Sequence, residues 1–244
     1  MKKNIFIFCY SYQKKNLDDL FRLINLICNS YNITFTLVDQ SSINKDNKYK
    51  NNKFILNYIH VPWDSISSPI EYKKYFLATS KFDYYLQIGD SVDFAIESLT
   101  RMLLFLDQNN NSLLTHIEEN NEEFLACKSI NRNFILGSRL AATKIKFPTF
   151  AKYNGEQEYI FHHALKDGLT VYGVSSKMVT DKTIDLNKLD YVPFYLNHNY
   201  NAIAEELGLK TNKYEYNDVS YNIRKSKFDN ILGERYINKT KIID

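Results

Sequence analysis

Glycine is scarce in this sequence. The chain of 244 residues holds only 7 glycines, and no glycine-rich loop follows its first apolar run. Nucleotidyltransferases, which also build an acidic metal site on an α/β sheet, usually cradle phosphates with such a loop near the first strand. The absence of the loop argues against that class of enzyme.

Cysteine is scarce as well, and the apolar runs are short. Cys9, Cys28 and Cys127 are widely separated and odd in number, so they match neither a zinc site nor a disulfide framework. The apolar stretch from Asn4 to Tyr10 is too short for a signal-peptide core or a membrane span. These absences predict a soluble protein of a reducing compartment, the cytoplasm, or the host cytoplasm if the gene is viral.

Charge and composition set further bounds. A net charge of +3 is too small to predict nucleic-acid binding. With 44% hydrophobic and 24% charged residues, the composition is that of a globular protein, and the length fits one large α/β domain. Residues 209–244 are rich in lysine, tyrosine and asparagine and have weak periodicity. We therefore expect one domain over residues 1–208 and a basic tail or lid, 209–244, that packs on it.

Two apolar runs flank an amphipathic stretch near the start of the chain. Ile5 to Cys9 and Ile33 to Val38 predict buried strands, and apolar residues between Leu17 and Cys28 recur at helical spacing. A strand, a helix and a strand in this order form a right-handed parallel crossover, so both strands end at the same sheet edge. The residues that follow the two strands there are Tyr10, Ser11, Tyr12, Asp39 and Gln40. An aromatic ring can stack on a base, and a carboxylate or amide can hold a base or ribose. Packing at the rim is the simpler interpretation of each tyrosine.

A candidate metal site lies in the stretch FDYYLQIGDSVDF, residues 82–94. Tyr84 to Ile88 predicts a buried strand, and the acids Asp90 and Asp93 follow it. Ligands of open α/β sheets bind at the carboxyl ends of the strands. Carboxylates there suit Mg2+ or Mn2+ holding a diphosphate, because these cations prefer oxygen ligands. The alternative is a solvated turn after a core strand.

Further strands and helices complete an α/β pattern. The sequence predicts strands at 54–61, 124–129, 133–136 and 171–173, helices that begin near Pro69, Ala95 and Gly155, and an asparagine-rich turn at 107–112. The last helix opens with Glu156 and Glu158, and acids in a first turn usually just stabilise the helix dipole. His198 follows in an aromatic segment. Its neutral imidazole could bind Mn2+, and the alternative is a hydrogen-bonded rim histidine.

The block SPIEYKKYFLATSKFDYYLQIGDSVDF resembles the donor-site block of the GlcNAc-transferase family that modifies protein hydroxyproline. Ser68-Pro69 stand for the family's Gly-Pro, and Lys73-Lys74-Tyr75 stand for its Ala-Arg-Tyr. Tyr84 to Ile88 match its Tyr-Tyr-Leu-Gln-Ile, and Asp90-Ser91 match its Asp-Ser after an inserted Gly89.

Other segments resemble the same family in the same order. GEQEYIFHHALKDG is similar to its Gly-Glu-Glu helix, through Gly155, Glu156, Leu165 and Gly168. The opening IFIFCYSY, then Gln40, and finally His198-Asn199-Tyr200 also resemble family elements. The chain departs from the family at Val92, which replaces a metal-binding histidine, and Asp93 could supply the lost ligand from one position further on. Lysine for arginine also changes the phosphate contact from a bidentate fork to a point charge.

The resemblance implies a GT-A fold, which is a Rossmann-like α/β fold with a mixed central sheet flanked by helices. It implies a glycosyltransferase that depends on Mn2+ or Mg2+ and moves a sugar from a UDP-sugar, such as UDP-GlcNAc, to a hydroxyl acceptor with retention of configuration. The implied donor-binding residues are Tyr10, Ser11, Tyr12, Asp39, Gln40, Lys74 and Asp90. The implied metal ligands are Asp90, Asp93 and His198. Glu156 and Glu158 would face the donor sugar or the acceptor, for binding or proton transfer.

The sequence leaves the acceptor open between a protein hydroxyl, a glycan and a hydroxylated base of phage or viral DNA. The last is included because the abundant asparagine and lysine fit an AT-rich genome. A different class is a catalytically inactive GT-A-like module that binds nucleotide sugars, which the departure at Val92 permits.

Overall fold

The computed structural model of the protein describes residues 2–11, 17–39, 53–60, 69–117, 122–127, 129–131, 133–147 and 156–182. These residues belong to one compact unit, formed by Met1–Thr149 and Glu156–Thr183. The expected tail, 209–244, and the end of the expected domain, 183–208, lie outside the described residues. Among the described helices, none has the length and apolar composition needed to span a membrane.

Ten strands and five helices make up the described part of the chain. The strands are β1 (Asn4–Ser11), β2 (Asn32–Asp39), β3 (Ile55–His60), β4 (Tyr84–Gly89), β5 (Val92–Phe94), β6 (Ser112–His116), β7 (Phe124–Ala126), β8 (Phe134–Ser138), β9 (Thr170–Val174) and β10 (Val179–Asp181). The helices are α1 (Leu17–Ile27), α2 (Pro69–Thr79), α3 (Ile96–Gln108), α4 (Arg139–Ala142) and α5 (Glu156–Lys166).

Eight of the strands form one mixed sheet in the order β3-β2-β1-β4-β8-β6-β9-β7, and β5 pairs with β10 in a separate antiparallel ribbon. β1 to β4 are parallel, as the predicted crossover requires. β8 lies antiparallel between β4 and β6, so β6 and its parallel neighbour β9 run in the direction of β1. β1, β2, β3, β4, β6 and β9 therefore all end at one side of the sheet, which we call the carboxyl edge.

Local sequence explains where the helices begin and end. In α1, Leu17, Leu20, Ile24 and Ile27 are buried at helical spacing. Pro69 opens α2, a position that tolerates its missing N–H. Gly168 follows α5 with φ of 73°, the left-handed conformation that terminates helices and that glycine adopts without a Cβ penalty.

The core lies on both faces of the sheet. Ile5, Ile7 and Cys9 point to the face that packs with α1 and α3, and Phe6 and Phe8 are equally buried on the other face. Burial on both faces explains why β1 is a continuous apolar run.

Three strands, β5, β6 and β10, are not among those predicted from the sequence. All five residues of β6 are buried, yet only Leu113 and Leu114 are apolar and adjacent, and the expected turn at 107–112 overlaps its first residue, Ser112. β5 and β10 have three residues each, too few for a periodic pattern. Tertiary pairing, not local sequence, therefore defines these strands.

Candidate active site

The carboxyl edge brings together the ends of β1, β2 and β4. In the parallel register Ser11 pairs with Asp39, and Tyr10 pairs with Gly89, the residue before Asp90. The predicted placement of Tyr10, Ser11 and Asp39 at the same sheet edge as Asp90 is confirmed, and their roles stay predictions.

Asp90 lies half-buried in the two-residue turn between β4 and β5. The Ser11 hydroxyl donates a hydrogen bond to Asp90 Oδ2 at 2.5 Å. Burial raises the pKa of Asp90, the hydrogen bond from Ser11 lowers it, and the negative charges of Asp181 and Asp39 raise it. The pKa is raised on balance, so this environment disfavours the ionised carboxylate.

Asp39 is fully buried at the end of β2 and is held by the neighbouring strand. Its Oδ2 accepts a hydrogen bond from the Tyr58 hydroxyl of β3 at 2.5 Å. A buried polar group of this kind needs hydrogen-bond partners. The bond from Tyr58 fixes the carboxylate of Asp39 at the edge, and the donor-binding role of Asp39 stays a prediction.

A buried lysine lies against the tyrosine at the end of β1 and is absent from the predicted site. Lys73 of α2 is 0% exposed, and its Nζ lies 5.1 Å from the ring centroid of Tyr10, 5.3 Å from that of Phe8 and 4.9 Å from that of Phe147. These distances are within the range of cation–π attraction. Lys74, the predicted donor-binding residue, is half-buried at the next position of α2, and its role stays a prediction. Adjacent helical residues differ by about 100° in direction, which is why only one of the two lysines packs on β1.

Asp181, the last residue of β10, is a second residue that sequence reasoning missed. Its Oδ1 accepts a hydrogen bond from Ser91 Oγ at 2.8 Å, and its Oδ2 accepts one from Asn133 Nδ2 at 3.0 Å. The ribbon pairs Asp181 with Val92, which places the carboxylate beside the turn that carries Asp90. The available sequence signal is an acid one residue beyond a short apolar stretch: Thr180 separates Asp181 from Met178-Val179, much as Gly89 separates Asp90 from Ile88.

The structure gives less information about the remaining predicted residues. Val92 is 4% exposed and packs in the core, whereas Asp93 is exposed on the opposite face of β5. Glu156 and Glu158 lie in the first turn of α5. The other three predicted residues, Tyr12, Gln40 and His198, lie outside the described residues. The roles of all these residues stay predictions.

The acidic side chains at the carboxyl edge are donors of the type that a divalent cation binds. Within the described ranges, no group of three or more histidine, cysteine, aspartate and glutamate side chains is arranged to hold a metal ion. The acids that interact electrostatically there are Asp90, Asp39 and Asp181, and carboxylate oxygens are the donors that Mg2+ and Mn2+ prefer. The charges that raise the pKa of Asp90 would be offset by such a cation.

No protein-family model matches the chain, and no curated protein sequence matches it. Solved structures do. GalNAc-T7, crystallised with UDP, GalNAc and Mn2+, aligns with a TM-score of 0.61 and 9% identity over 84% of this chain and 48% of its own. TarS from S. aureus aligns with a TM-score of 0.57 and 15% identity over 87% of this chain and 41% of its own. The mannosyltransferase PcManGT from Pyrobaculum calidifontis, with GDP-Man and Mn2+, aligns with a TM-score of 0.60 and 9% identity over 96% and 76%.

These similarities define the class of fold. The chain has the GT-A fold, as the resemblance implied, with its mixed sheet and flanking helices. It spans less than half the length of GalNAc-T7 and of TarS.

Proposed function

We propose that this protein is a glycosyltransferase that moves a sugar from a nucleoside-diphosphate sugar to a hydroxyl group. The observation that carries the proposal is the meeting of Ser11, Asp39 and Asp90 at the carboxyl edge of a GT-A sheet. Open α/β sheets bind their ligands at that edge. Two of the similar structures, those of GalNAc-T7 and PcManGT, contain a nucleotide or a nucleotide sugar together with Mn2+.

The nucleoside would bind at the ends of β1 and β2. The ring of Tyr10 offers a stacking surface for the base, and the cation–π contact with Lys73 restrains that ring. Asp39, held by Tyr58, would accept from the base or ribose. Tyr12 and Gln40 follow these two strands in sequence and would extend the same site. Lys74 would meet a phosphate oxygen as a point charge.

The diphosphate would bind at Asp90 with Mn2+ or Mg2+. When bound, the cation supplies the positive charge that neutralises the leaving diphosphate. Asp90 is the principal proposed ligand, because Ser11 holds its Oδ2 in place at the edge. Asp93 and His198 are the further proposed ligands.

Transfer would involve the start of α5. This helix has 11 residues, ends shortly before β9 and packs against it. Because β9 begins at the opposite side of the sheet, we expect a helix of about 16 Å that leads back to it to have its first turn towards the carboxyl edge. Glu156 and Glu158 in that turn would contact the donor sugar or take a proton from the acceptor hydroxyl.

The finer assignment rests on the resemblance to the hydroxyproline GlcNAc-transferase family. It favours UDP-GlcNAc as the donor, a protein hydroxyl as the acceptor and retention of configuration. The alternative function is an inactive module that binds nucleotide sugars. The burial of Val92 in the core, where the family has a metal-binding histidine, is the observation that favours this alternative.

Thermal unfolding of the full chain with UDP, GDP, UDP-GlcNAc or GDP-mannose tests donor binding, each with Mn2+ or with a chelator. A bound nucleotide at 100 times its dissociation constant raises the free energy of unfolding by about 2.7 kcal/mol. We expect Mn2+-dependent stabilisation by one nucleoside diphosphate and its sugar. No stabilisation by any of the four would contradict the proposal.

Hydrolysis of the stabilising donor separates enzyme from module. We expect Glu156→Gln to keep the Mn2+-dependent stabilisation and to lose hydrolysis. Glu97→Gln, which removes an exposed charge from α3, is the matched control and should behave as wild type. Binding without turnover in the wild type would favour the module.

A further inference from the structure

Hydrogen bonds link the residues on both sides of Asp90 to a single carboxylate, that of Asp181. Ser91 donates from Oγ to Asp181 Oδ1 at 2.8 Å. Gly89 donates from its N–H to the carbonyl of Asn133 at 2.8 Å, and the side chain of Asn133 donates to Asp181 Oδ2 at 3.0 Å. The residues before and after Asp90 are therefore linked to Asp181, directly or through Asn133.

The backbone strengthens this link. The N–H of Lys182 donates to the carbonyl of Ser91 at 3.1 Å, so the end of β10 holds Ser91 by both its side chain and its main chain. The ribbon register, which pairs Asp181 with Val92, fixes the approach of β10 to the turn. Packing is close as well, because a Cβ placed on Gly89 would lie 3.2 Å from side-chain atoms of Asn133.

We propose that Asp181 is a positioning residue of the active site, which holds the Gly89–Ser91 turn so that Asp90 presents its carboxylate at the carboxyl edge. This inference rests on the proposed function, in which Asp90 binds the cation that holds the diphosphate. Asp181 itself acts through Ser91 and Asn133, since both of its oxygens accept hydrogen bonds from those two residues.

Two substitutions at position 181 distinguish this role from direct binding of the cation. Asp181→Ala removes both hydrogen bonds. Asp181→Asn keeps them, because its Oδ1 can accept from Ser91 and its Nδ2 can donate to Asn133 once the amide of Asn133 is turned over. A positioning role needs the hydrogen bonds and tolerates asparagine, whereas a metal ligand needs the charge.

The first measurement is calorimetric titration of the full chain with UDP in the presence of Mn2+ and of a chelator. Residues that orient a metal ligand typically change metal affinity about 10- to 100-fold. We expect a loss of that size in Asp181→Ala, a value within about threefold of wild type in Asp181→Asn, and no change in the control Glu97→Gln. Ser91→Ala should weaken binding less, and the double variant Ser91→Ala with Asp181→Ala should bind no worse than Asp181→Ala alone.

The second measurement needs no ligand. Amide hydrogen exchange should rise at Gly89 and Lys182, whose N–H groups donate to Asn133 and Ser91, in Asp181→Ala; it should stay at the wild-type rate in Asp181→Asn and remain slow at Leu86 to Ile88 in both. These amides report whether the turn is held, whatever the protein binds.

Two outcomes would overturn the positioning role of Asp181, and a third would contradict the proposed donor. Unchanged exchange in Asp181→Ala overturns the positioning role. Loss of Mn2+-dependent UDP binding in Asp181→Asn equal to that in Asp181→Ala also overturns it and makes Asp181 a direct ligand. A wild-type protein that binds no UDP with Mn2+ contradicts UDP as the donor of the proposed function, and the exchange measurement then decides alone whether Asp181 holds the turn.

Discussion

Replacing Ser11 by alanine removes the hydroxyl that donates to Asp90 Oδ2 at 2.5 Å. Ser11 is 0% exposed, so water cannot take its place on the β1 side. A hydrogen bond to a charged group contributes about 1.5–3 kcal/mol. Asp90 is only half-buried and regains part of this from solvent, so we expect a loss at the lower end, about 1.5 kcal/mol at neutral pH. For a chain of this size that lowers Tm by about 3–6 °C.

The pKa of Asp90 sets the sign of the pH dependence. Burial and the charges of Asp181 and Asp39 hold this pKa above its ordinary value, and Ser11 lowers it. When folding raises the pKa of an acid, the protonated acid stabilises the folded state, and this contribution to the free energy of unfolding is fully present below the pKa of the unfolded chain. The contribution is lost as the pH rises through the pKa of the folded protein. Ser11→Ala raises the folded pKa further and so increases that loss. The deficit of the variant should therefore be largest at neutral pH and should shrink when Asp90 is protonated.

Urea unfolding of both proteins at several pH values, from neutral to about pH 4, measures this deficit. Ser138→Ala is a matched control, since its hydroxyl caps α4 by accepting from Ala141 N at 3.2 Å and donates to the backbone carbonyl of Asn110 rather than to a carboxylate. Its cost, about 0.5–2 kcal/mol, should not depend on pH in this range. A Ser11→Ala deficit that is absent, or that is the same at every pH, would refute the reasoning.

Three further predictions concern the same edge. Asp90→Asn keeps the shape of the side chain and should abolish Mn2+-dependent UDP binding in calorimetric titration without unfolding the protein; retained Mn2+ dependence would mean that the metal site lies elsewhere. Gly89→Ala places a Cβ 3.2 Å from the side chain of Asn133 and should lower the free energy of unfolding in urea by about 1–3 kcal/mol, whereas an unchanged value would show that Asn133 yields freely. Lys73→Met keeps the buried stem but loses the charge on the ring of Tyr10, so UDP affinity should fall in the chelator titration as well as with Mn2+; a loss seen only with Mn2+ would assign Lys73 to the metal site instead.

The parts of the fold that the sequence predicts are those with long one-dimensional patterns. β1 is a continuous apolar run, and β2 and β4 are mainly apolar and buried. In α1 the apolar residues recur every three or four positions, so the positions of these elements follow from the chain alone. β6 does not, because burial at Ser112, Thr115 and His116 comes from its central place in the sheet and not from apolar side chains. β5 and β10 exist only as partners of each other.

The candidate site divides in the same way. The crossover rule places Ser11, Asp39 and Asp90 at one edge, because it depends on strand order alone. The crossover rule does not place Asp181, since its partner Ser91 is 90 residues away and the two meet through a ribbon of three-residue strands. The rule does not place Lys73 either, for a different reason. Only the helical phase of α2 decides which of two adjacent lysines packs beneath Tyr10, and that phase depends on tertiary contacts.

The central position of β1 has a consequence for the order of folding. β1 pairs on one side with β2, its neighbour in the chain, and on the other side with β4, so Ser11 and Asp90 meet across 79 residues. Closing that loop costs entropy that no local contact offsets, so the pairing of β1 with β4 should follow the formation of the β1–α1–β2 crossover. A fragment that ends before β4 would contain Tyr10 and Asp39, at the ends of β1 and β2. It would lack Asp90, which follows β4. Any ligand that requires Asp90 therefore reports that the middle of the sheet has closed.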